Sequence, residues 1–472
     1  MTKAASTYLS TRDVTQGRDT TPTNFAEALL RGIAPDGGLY MPAAWPTLAP
    51  SAWAPGQSYA QIASAAMAPY LGDALPPGAL DRALAKLVAG FDHADVTPLV
   101  QLEDDLWLLE LFHGPTAAFK DLAMQLAASL SDEALAASGE RLTLVTATSG
   151  DTGAAAVNAF ANKARINLIV LHPLDRVSAV QRRQMTTVEA DNVLNLAVHG
   201  DFDDCQRLVK GLLAEESLRD RGRFSSVNSI NWARLAGQIP YYVSAVAQLA
   251  AKGETRSPTF VVPTGNFGDA FAGISARKMG LPIAGFVAAV NQNDALARAI
   301  NDGVYARKAA VETASVSMDV QAPSNFERLI YEAAGRDAEA TRTVFETFAR
   351  EGSVTLSPSL LAALRAEVSA VSVDEPTTRA EIAHAYSAWG RVVCPHTAVA
   401  LHAARQQPRG NGPIIALSTA HAAKFGKDVA PVIGFDPAPP RVIRELGDRP
   451  ERLTIIEGTP EAALAAVRGF GD

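Results

Sequence analysis

The sequence predicts an α/β protein built on parallel strands, and three observations lead there. Short apolar runs recur between residues 142 and 290, each passing through a glycine-containing turn into a segment of helical period. Three glycine turns, around Gly114, Gly150 and Gly265, stand out along the chain. A late apolar run, GPIIAL at 412–417, ends in STAHAAKFG, a loop at the carboxyl end of a strand, which is where open α/β sheets place ligands. Parallel strands require long crossover connections, usually helices, and this accounts for the alternation.

In chain order, the first 95 residues have a texture of their own. Prolines and tryptophans crowd PDGGLYMPAAWPTLAPSAWAPGQS, which predicts a separate, loop-rich N-terminal region. LAASLSDEALAAS is Ala-rich and predicts helix. LTLVTA at 142–147 reads as a buried strand, SGDTG as its turn and AAAVNAFANK as the helix that follows. INLIVL at 166–171 and NVLNLAV at 192–198 are the next strands. Phe202, Cys205, Leu208, Val209, Leu212 and Leu213 then recur at helical spacing. TFVV at 259–262 runs into PTGNFG and a helix from Asp269 to about Met279, and IAGFVAAV at 283–290 continues the sheet. The remainder is expected to be mostly helical until GPIIAL.

At 472 residues the chain is long enough for two or three domains. Its 48% hydrophobic and 19% charged residues are those of an ordinary globular protein. The net charge of −8 and the lack of a dense Lys/Arg run argue against nucleic acid as a partner. They do not argue against one phosphate group, which needs only a few local donors. Cys205 and Cys394 are the only cysteines, too few for a disulfide framework or a four-ligand zinc site, so a reducing cytoplasm and no metal are expected. The opening MTKAASTYLSTRD has no apolar leader core, and no run approaches the roughly 20 apolar residues of a membrane span.

The turns carry the chemistry. HGPTAAFK fails as a nucleotide P-loop because Phe119 stands where a glycine is needed and Asp121 where a Ser or Thr is needed. SGDTG and GNFG both fail the dinucleotide fingerprint. Gly265 to Asp269 could still hold a phosphate through backbone N–H groups at a helix start, with Asp269 better suited to capping the helix or orienting the loop.

Taken together, the motifs resemble the threonine synthase family, in the tryptophan-synthase-β-like group of pyridoxal-phosphate enzymes. The resemblance is carried by YLSTRD at 8–13, F-x-E-A-L-L-x-G at 25–32, PDGGLYMP at 35–42 and LFHGPTAAFKD at 111–121. It continues through TSGDTG, NSINWAR at 228–234, PTGNFGD, PSNFERL at 323–329 and LSTAHAAKF at 417–425, in family order over nearly the whole chain. It implies fold type II: two open, twisted, mostly parallel sheets flanked by helices, with an extra N-terminal region. The division expected is an N-terminal region at 1–95, a large cofactor-binding part at 96–141 and 235–472, and a small part at 142–234.

The resemblance further implies pyridoxal 5'-phosphate as cofactor, with Lys120 as its Schiff-base lysine. Gly265, Asn266, Phe267, Gly268 and Asp269 would surround the cofactor phosphate, and the Thr419 hydroxyl would meet the pyridine nitrogen. Thr148, Ser149, Asp151 and Thr152 would contact substrate. Many relatives carry Asn at the position of Asp151, and an ionised Asp can only accept hydrogen bonds, so its contact is left open. Asn228, Ser229 and Arg234 match the binding site for the substrate phosphate. His113 and His421 are either acid/base groups or loop supports, His396 reads as support, and Cys394 as packed.

The implied reaction converts O-phospho-L-homoserine and water to L-threonine and phosphate, in a monomer or homodimer. Two other functions fit the same scaffold: a lyase that releases 2-oxobutyrate and ammonia, and a non-catalytic cofactor-binding or regulatory protein. The N-terminal blocks stand against the first, and Lys120 with the Asn228–Arg234 block against the second.

Overall fold

The computed structural model describes residues 6–15 and 23–470. The first five residues of MTKAASTYLSTRD lie outside the described residues. Two parallel sheets organise the chain. The larger has six strands, in the order Ser369–Ser372, Gly285–Val290, Thr259–Pro263, Ile414–Ser418, Leu106–Glu110 and Leu99–Glu103. All its pairings are parallel except the last. The smaller has five strands, all parallel, in the order Thr454–Glu457, Val193–His199, Ile166–Pro173, Leu142–Ala147 and Arg223–Ser226.

Strands such as Ile166–Pro173 and Ile414–Ser418 are apolar without alternation because helices cover both faces of a parallel sheet. Ile415 and Leu417 enter the same core as Trp232 and Phe271, whereas Ile414 and Ala416 face a second core with Leu401 and Val429. The small sheet likewise divides its side chains between two cores, Leu144 and Leu168 on one face and Val145 and Ile169 on the other.

Three departures from the sequence reading have physical causes. The N-terminal region is present with its own sheet, but it is not chiefly loop: Thr7–Ser10, Thr23–Asn24 and Tyr40–Pro42 form an antiparallel sheet, helix Phe25–Arg31 lies between its last two strands in sequence, and helices Tyr59–Leu71 and Ala79–Ala89 follow. Its aromatic rings close onto the large part, with Tyr8, Trp45 and Tyr70 packed 5.5 to 6.1 Å from buried Trp232. The Glu327 carboxylate accepts from Thr11 Oγ1 at 2.5 Å and from Arg12 Nη2 at 2.6 Å, fastening the two regions by buried polar contacts. Second, the boundary expected at 235–472 does not anticipate Thr454–Glu457, which pairs with Val193–His199 and so completes the small sheet from the far end of the chain. Third, the stretch before residue 412 contributes the large sheet's edge strand Ser369–Ser372 and an antiparallel pair, Val304–Ala306 with Ser353–Thr355. These strands are three or four residues long, too short to show a period.

Candidate active site

Every strand that points toward the site does so with its carboxyl end. Thr259–Pro263 delivers the Thr264–Phe267 turn and then helix Gly268–Lys278, and Ile414–Ser418 delivers Thr419 to His421. Leu106–Glu110 delivers the loop that ends at Lys120, the first residue of helix Lys120–Ser138. From the small sheet, Leu142–Ala147 opens into Thr148–Gly150 and helix Asp151–Phe160, and Arg223–Ser226 leads to helix Trp232–Ala236. Backbone hydrogen bonds stitch two of these loops together: Phe119 N–H donates to Thr419 O at 2.8 Å and His421 N–H to Ala117 O at 3.1 Å. Lys120 and Thr419, 299 residues apart in number, therefore sit on adjoining loops.

Lys120 is nearly enclosed. Burial, acting against the charged form, lowers its pKa below that of an ordinary lysine; Asp151 opposes this, and the cations Lys424 and Arg234 add to it. Its Nζ lies 3.4 Å from Asp151 Oδ2 and 4.9 Å from the centre of the Phe119 ring. The other oxygen, Asp151 Oδ1, accepts from Lys424 Nζ at 2.8 Å and from Gln181 Nε2 at 2.9 Å. Although burial works to raise the Asp151 pKa, Lys424 and Lys120 together hold it far below the usual carboxylate range. The turn before it is shaped for this approach. Gly150 has φ +137° and a Cβ there would lie 2.3 to 2.6 Å from the Gln181 amide, so only glycine lets Gln181 reach Asp151. Thr148 Oγ1 accepts from Gly150 N–H at 3.0 Å and Gly153 N–H at 2.8 Å, which commits this hydroxyl to the turn, while Ser149 and Thr152 are half-buried beside it.

The turn Gly265–Gly268 is equally constrained. A Cβ on Gly265 would lie 2.3 Å from the Ser317 carbonyl oxygen, and Phe267 sits in the left-handed region at φ +62° immediately before the helix. Of the two roles open to Asp269, capping the helix or orienting the loop, the hydrogen bonds do not include the cap: Asp269 Oδ1 accepts from the hydroxyls of Tyr241 and, at 2.7 Å, Tyr242. Its Oδ2 is buried without a partner, and burial raises its pKa to about 6. Asn325 joins this turn to the substrate block: its N–H donates to Asn266 O at 3.1 Å and its Nδ2 to Ser229 O at 3.2 Å.

Arg234 is only 5% exposed, yet Nε and Nη1 have no hydrogen-bond partner. Burial lowers its pKa to about 10. A guanidinium taken out of water and left unpaired is costly, and an oxyanion is the ligand that would relieve it. Ser229 is half-buried, whereas Asn228 is exposed and turns its amide to Ser226 Oγ at 2.7 Å.

The histidines separate by contact. His113 Nε2 meets Glu110 Oε2 at 2.8 Å, an orienting ion pair when the ring is protonated. His396 Nε2 accepts from Ser317 N–H at 3.2 Å and so supports the carbonyl that faces Gly265; burial lowers its pKa to about 4. His421 Nδ1 accepts from Ala423 N–H at 3.2 Å, and burial also lowers its pKa to about 4, the arrangement of a neutral ring supporting a loop. Cys394 is buried, with Sγ 3.2 Å from Thr397 Oγ1. Sequence reasoning missed Lys424 and Gln181. Lys424 lies inside LSTAHAAKF but carries no mark that separates it from a surface lysine, and Gln181 belongs to an ordinary amphipathic stretch.

Comparison with known proteins identifies the family. A family model described as pyridoxal-phosphate dependent enzyme matches residues 91–366, one for the threonine synthase N terminus matches 7–87, and one for the threonine synthase C-terminal part matches 397–470. A threonine synthase of Pseudomonas aeruginosa is 40% identical over 467 residues, covering 98% of this chain and 97% of its own. The crystal structure of threonine synthase from Brucella melitensis with pyridoxal phosphate bound superimposes with a TM-score of 0.93 at 42% identity, over 98% of this chain and 99% of that one. The yeast threonine synthase structure superimposes with a TM-score of 0.93 at 33% identity, over 99% of each. The chain belongs to the threonine synthase family of pyridoxal-phosphate-dependent enzymes.

Proposed function

We propose that the protein converts O-phospho-L-homoserine and water to L-threonine and phosphate, with Lys120 as the covalent anchor of pyridoxal phosphate. The observation that carries this reading is the pairing of a buried lysine of lowered pKa with a buried, unpartnered guanidinium, Arg234, close enough to influence it. An amine must be uncharged to attack an aldehyde, and burial favours that form. The chain's residues fit the cofactor. The Gly265–Gly268 turn leaves no room for a side chain at Gly265 and ends in a helix start able to hold a phosphate, and the loop from Thr419 adjoins Lys120.

Pyridoxal phosphate, when bound, supplies a conjugated ring that withdraws electrons from the amino acid joined to it. The protein does the rest. Gly265, Asn266, Phe267 and Gly268 would hold the cofactor phosphate through the backbone of their turn, and Asp269, bonded to Tyr241 and Tyr242, would act by steadying that turn. The Thr419 hydroxyl would partner the pyridine nitrogen, and a neutral hydroxyl there would not fix a full positive charge as a carboxylate would. Lys120 Nζ would take the Cα proton and then a Cβ proton, so that the Cγ–O bond breaks and phosphate leaves with its electron pair; one proton would return to Cγ and one to Cα, while water adds its hydroxyl at Cβ and gives its other proton to the released phosphate. Thr148, Ser149, Asp151 and Thr152 line the substrate side, where Thr148 acts through the turn it braces. Asn228, Ser229 and Arg234 receive the substrate phosphate. Arg234 supplies the charge and Ser229 a neutral donor, while Asn228 must rotate from Ser226 to take part. Two free, buried cysteines suit a reducing cytoplasm, the net charge of −8 gives no basic surface for nucleic acid, and the enzyme is read as a monomer or homodimer.

Incubation with O-phospho-L-homoserine, with phosphate, threonine and 2-oxobutyrate quantified together, tests the reading. Equal phosphate and threonine are expected. Phosphate accompanied by 2-oxobutyrate would mean a lyase instead. Arg234→Ala is expected to raise KM for O-phospho-L-homoserine by about 100-fold, the loss of a charged hydrogen bond of roughly 2–3 kcal/mol, while the cofactor stays bound. Loss of cofactor with KM unchanged would move Arg234 to the other phosphate.

A further inference from the structure

Lys424 has a side chain with no exposure at all, and a cation is rarely buried without a task. It lies in the short turn Ala422–Phe425, where its Nζ donates to Thr116 O at 2.7 Å and meets Asp151 Oδ1 at 2.8 Å. The Thr116 carbonyl also accepts from Gln184 Nε2 at 2.9 Å, and Thr116 Oγ1 donates to Asp121 Oδ1 at 2.6 Å, so the acceptor that steadies Lys424 is itself held on two sides. Gln181 occupies the remaining approach to Asp151 Oδ1. The outcome is a carboxylate with one oxygen fully engaged and the other, Oδ2, turned to Lys120 Nζ.

We propose that Lys424 is a positioning residue for Lys120: by binding Asp151 Oδ1 it fixes the carboxylate with Oδ2 facing the Lys120 nitrogen and offsets part of its charge. This rests on the reading that Lys120 carries the cofactor. The reason for the arrangement is a balance between two requirements. Asp151 alone would hold a proton on Lys120 too firmly for the nitrogen to give it up. Without Asp151 the proton would have no counter-charge in a buried site. A cation 2.8 Å behind the carboxylate moderates its pull on the proton and also prevents the carboxylate from rotating away.

The charged and titratable groups facing Lys120 come from five elements. They are Asp151 on its helix, Lys424 on its turn, Arg234 on helix Trp232–Ala236, Asp269 on helix Gly268–Lys278 and His396 on helix Pro395–Arg405. Of these only Asp269, at about 6, titrates near neutrality, since the pKa of buried His396 lies near 4 and Asp151 stays ionised. Substitution of Lys424 leaves Asp269 in place but also shifts Asp121, which burial raises to about 6 and Lys424 in part holds down, so Lys424→Arg, which keeps the charge, is the variant that separates the contributions.

The test is a pH titration of the visible absorbance of the bound pyridoxal phosphate in the holoenzyme, with kcat and KM measured alongside. Lys424→Met is expected to raise the midpoint of the spectral transition by about one pH unit through loss of the neighbouring positive charge. It should lower kcat at least tenfold while KM for O-phospho-L-homoserine stays within about threefold. Lys424→Arg, which keeps the charge, should restore the midpoint to within about 0.3 unit of the native value. If Lys424→Met does not fold, Asp151→Asn with Lys424→Met removes both members of the buried Lys424–Asp151 pair together, so neither is left facing the other's vacant position. Its midpoint should then fall below the native one, because the nearer group, Asp151, acts more strongly on Lys120. A native midpoint in folded Lys424→Met, or a tenfold rise in KM with the midpoint unmoved, overturns the proposal and makes Lys424 a structural or substrate-binding residue. Absence of a lysine-bound cofactor spectrum in the native enzyme would overturn the underlying reading, and the proposal with it.

Discussion

Asp151 and Asp269 begin as the same residue in the same kind of place: each lies in the first turn of a helix that follows a glycine turn at the carboxyl end of a parallel strand, and each is at least 93% buried. They end in opposite electrostatic states. Asp151, from the small sheet, is flanked by Lys424 and Lys120 and stays ionised despite its burial. Asp269, from the large sheet, has only tyrosine hydroxyls against one oxygen and nothing against the other, and burial raises its pKa to about 6. Burial alone would push both upward. The difference shows that neighbours contributed by distant segments decide the charge of a buried carboxyl, and that this site contains one committed anion and one acid that can change state near neutral pH.

Removing the nitrogen that both carboxyls influence is the largest perturbation. Lys120→Ala is expected to lower turnover by about 1,000-fold or more and to eliminate the visible absorbance of covalently held cofactor. A spectrum identical to that of the native protein would exclude Lys120 as the anchor.

Asp151→Ala breaks the comparison on its ionised side. It leaves Lys424 buried beside a vacant position, and such unpaired charges cost about 3–5 kcal/mol. A corresponding drop in urea-unfolding stability at pH 7 is expected. A loss under about 1 kcal/mol would mean that Lys424 is neutral or finds another partner.

On the other side, Asp269→Asn reports through pH. The folded-state pKa of about 6 lies above the unfolded value of 3.8, so the folded protein binds the proton more tightly. Asp269 therefore adds stability as the pH falls from 7 to 5, about 1 kcal/mol from this group. Asp151 runs the other way: its stabilisation is present above pH 4 and is lost only as the pH falls further. Unfolding midpoints of native protein and Asp269→Asn at pH 7 and pH 5 should thus converge or cross in the native protein's favour at the lower pH. Parallel midpoints would contradict the raised pKa.

The smallest change sharpens the same point. Tyr242→Phe removes one hydroxyl from Asp269 Oδ1 while Tyr241 remains, and should cost about 1 kcal/mol while moving the Asp269 titration upward. An unchanged titration, followed by the carboxyl resonance of Asp269, would show that the two tyrosines are redundant.

Legibility differed between elements for identifiable reasons. LTLVTA at 142–147 forms its strand residue for residue, and the helix expected from Asp269 to Met279 forms at Gly268–Lys278, because long apolar runs and glycine turns carry their structure locally. Leu99–Glu103 and Leu106–Glu110 went unread, since the hairpin turns on Asp104 and on Asp105, at φ +60°, rather than on glycine. The proline-rich N-terminal region read as loop because its order depends on Trp232 and Glu327, more than 160 residues from the groups they meet.

By itself, the sequence determined the family, the parallel α/β plan, the cofactor class and the glycine turns that follow the strands, because ordered motifs and backbone requirements at Gly150 and Gly265 are written in adjacent residues. Only the tertiary structure decided that Thr454–Glu457 completes the small sheet, that Asp269 faces tyrosines rather than its helix end, and that Lys424 stands behind Asp151. These depend on which side chains meet across the fold, and a buried group's charge is set by those meetings and by its removal from water, neither of which has a local signature.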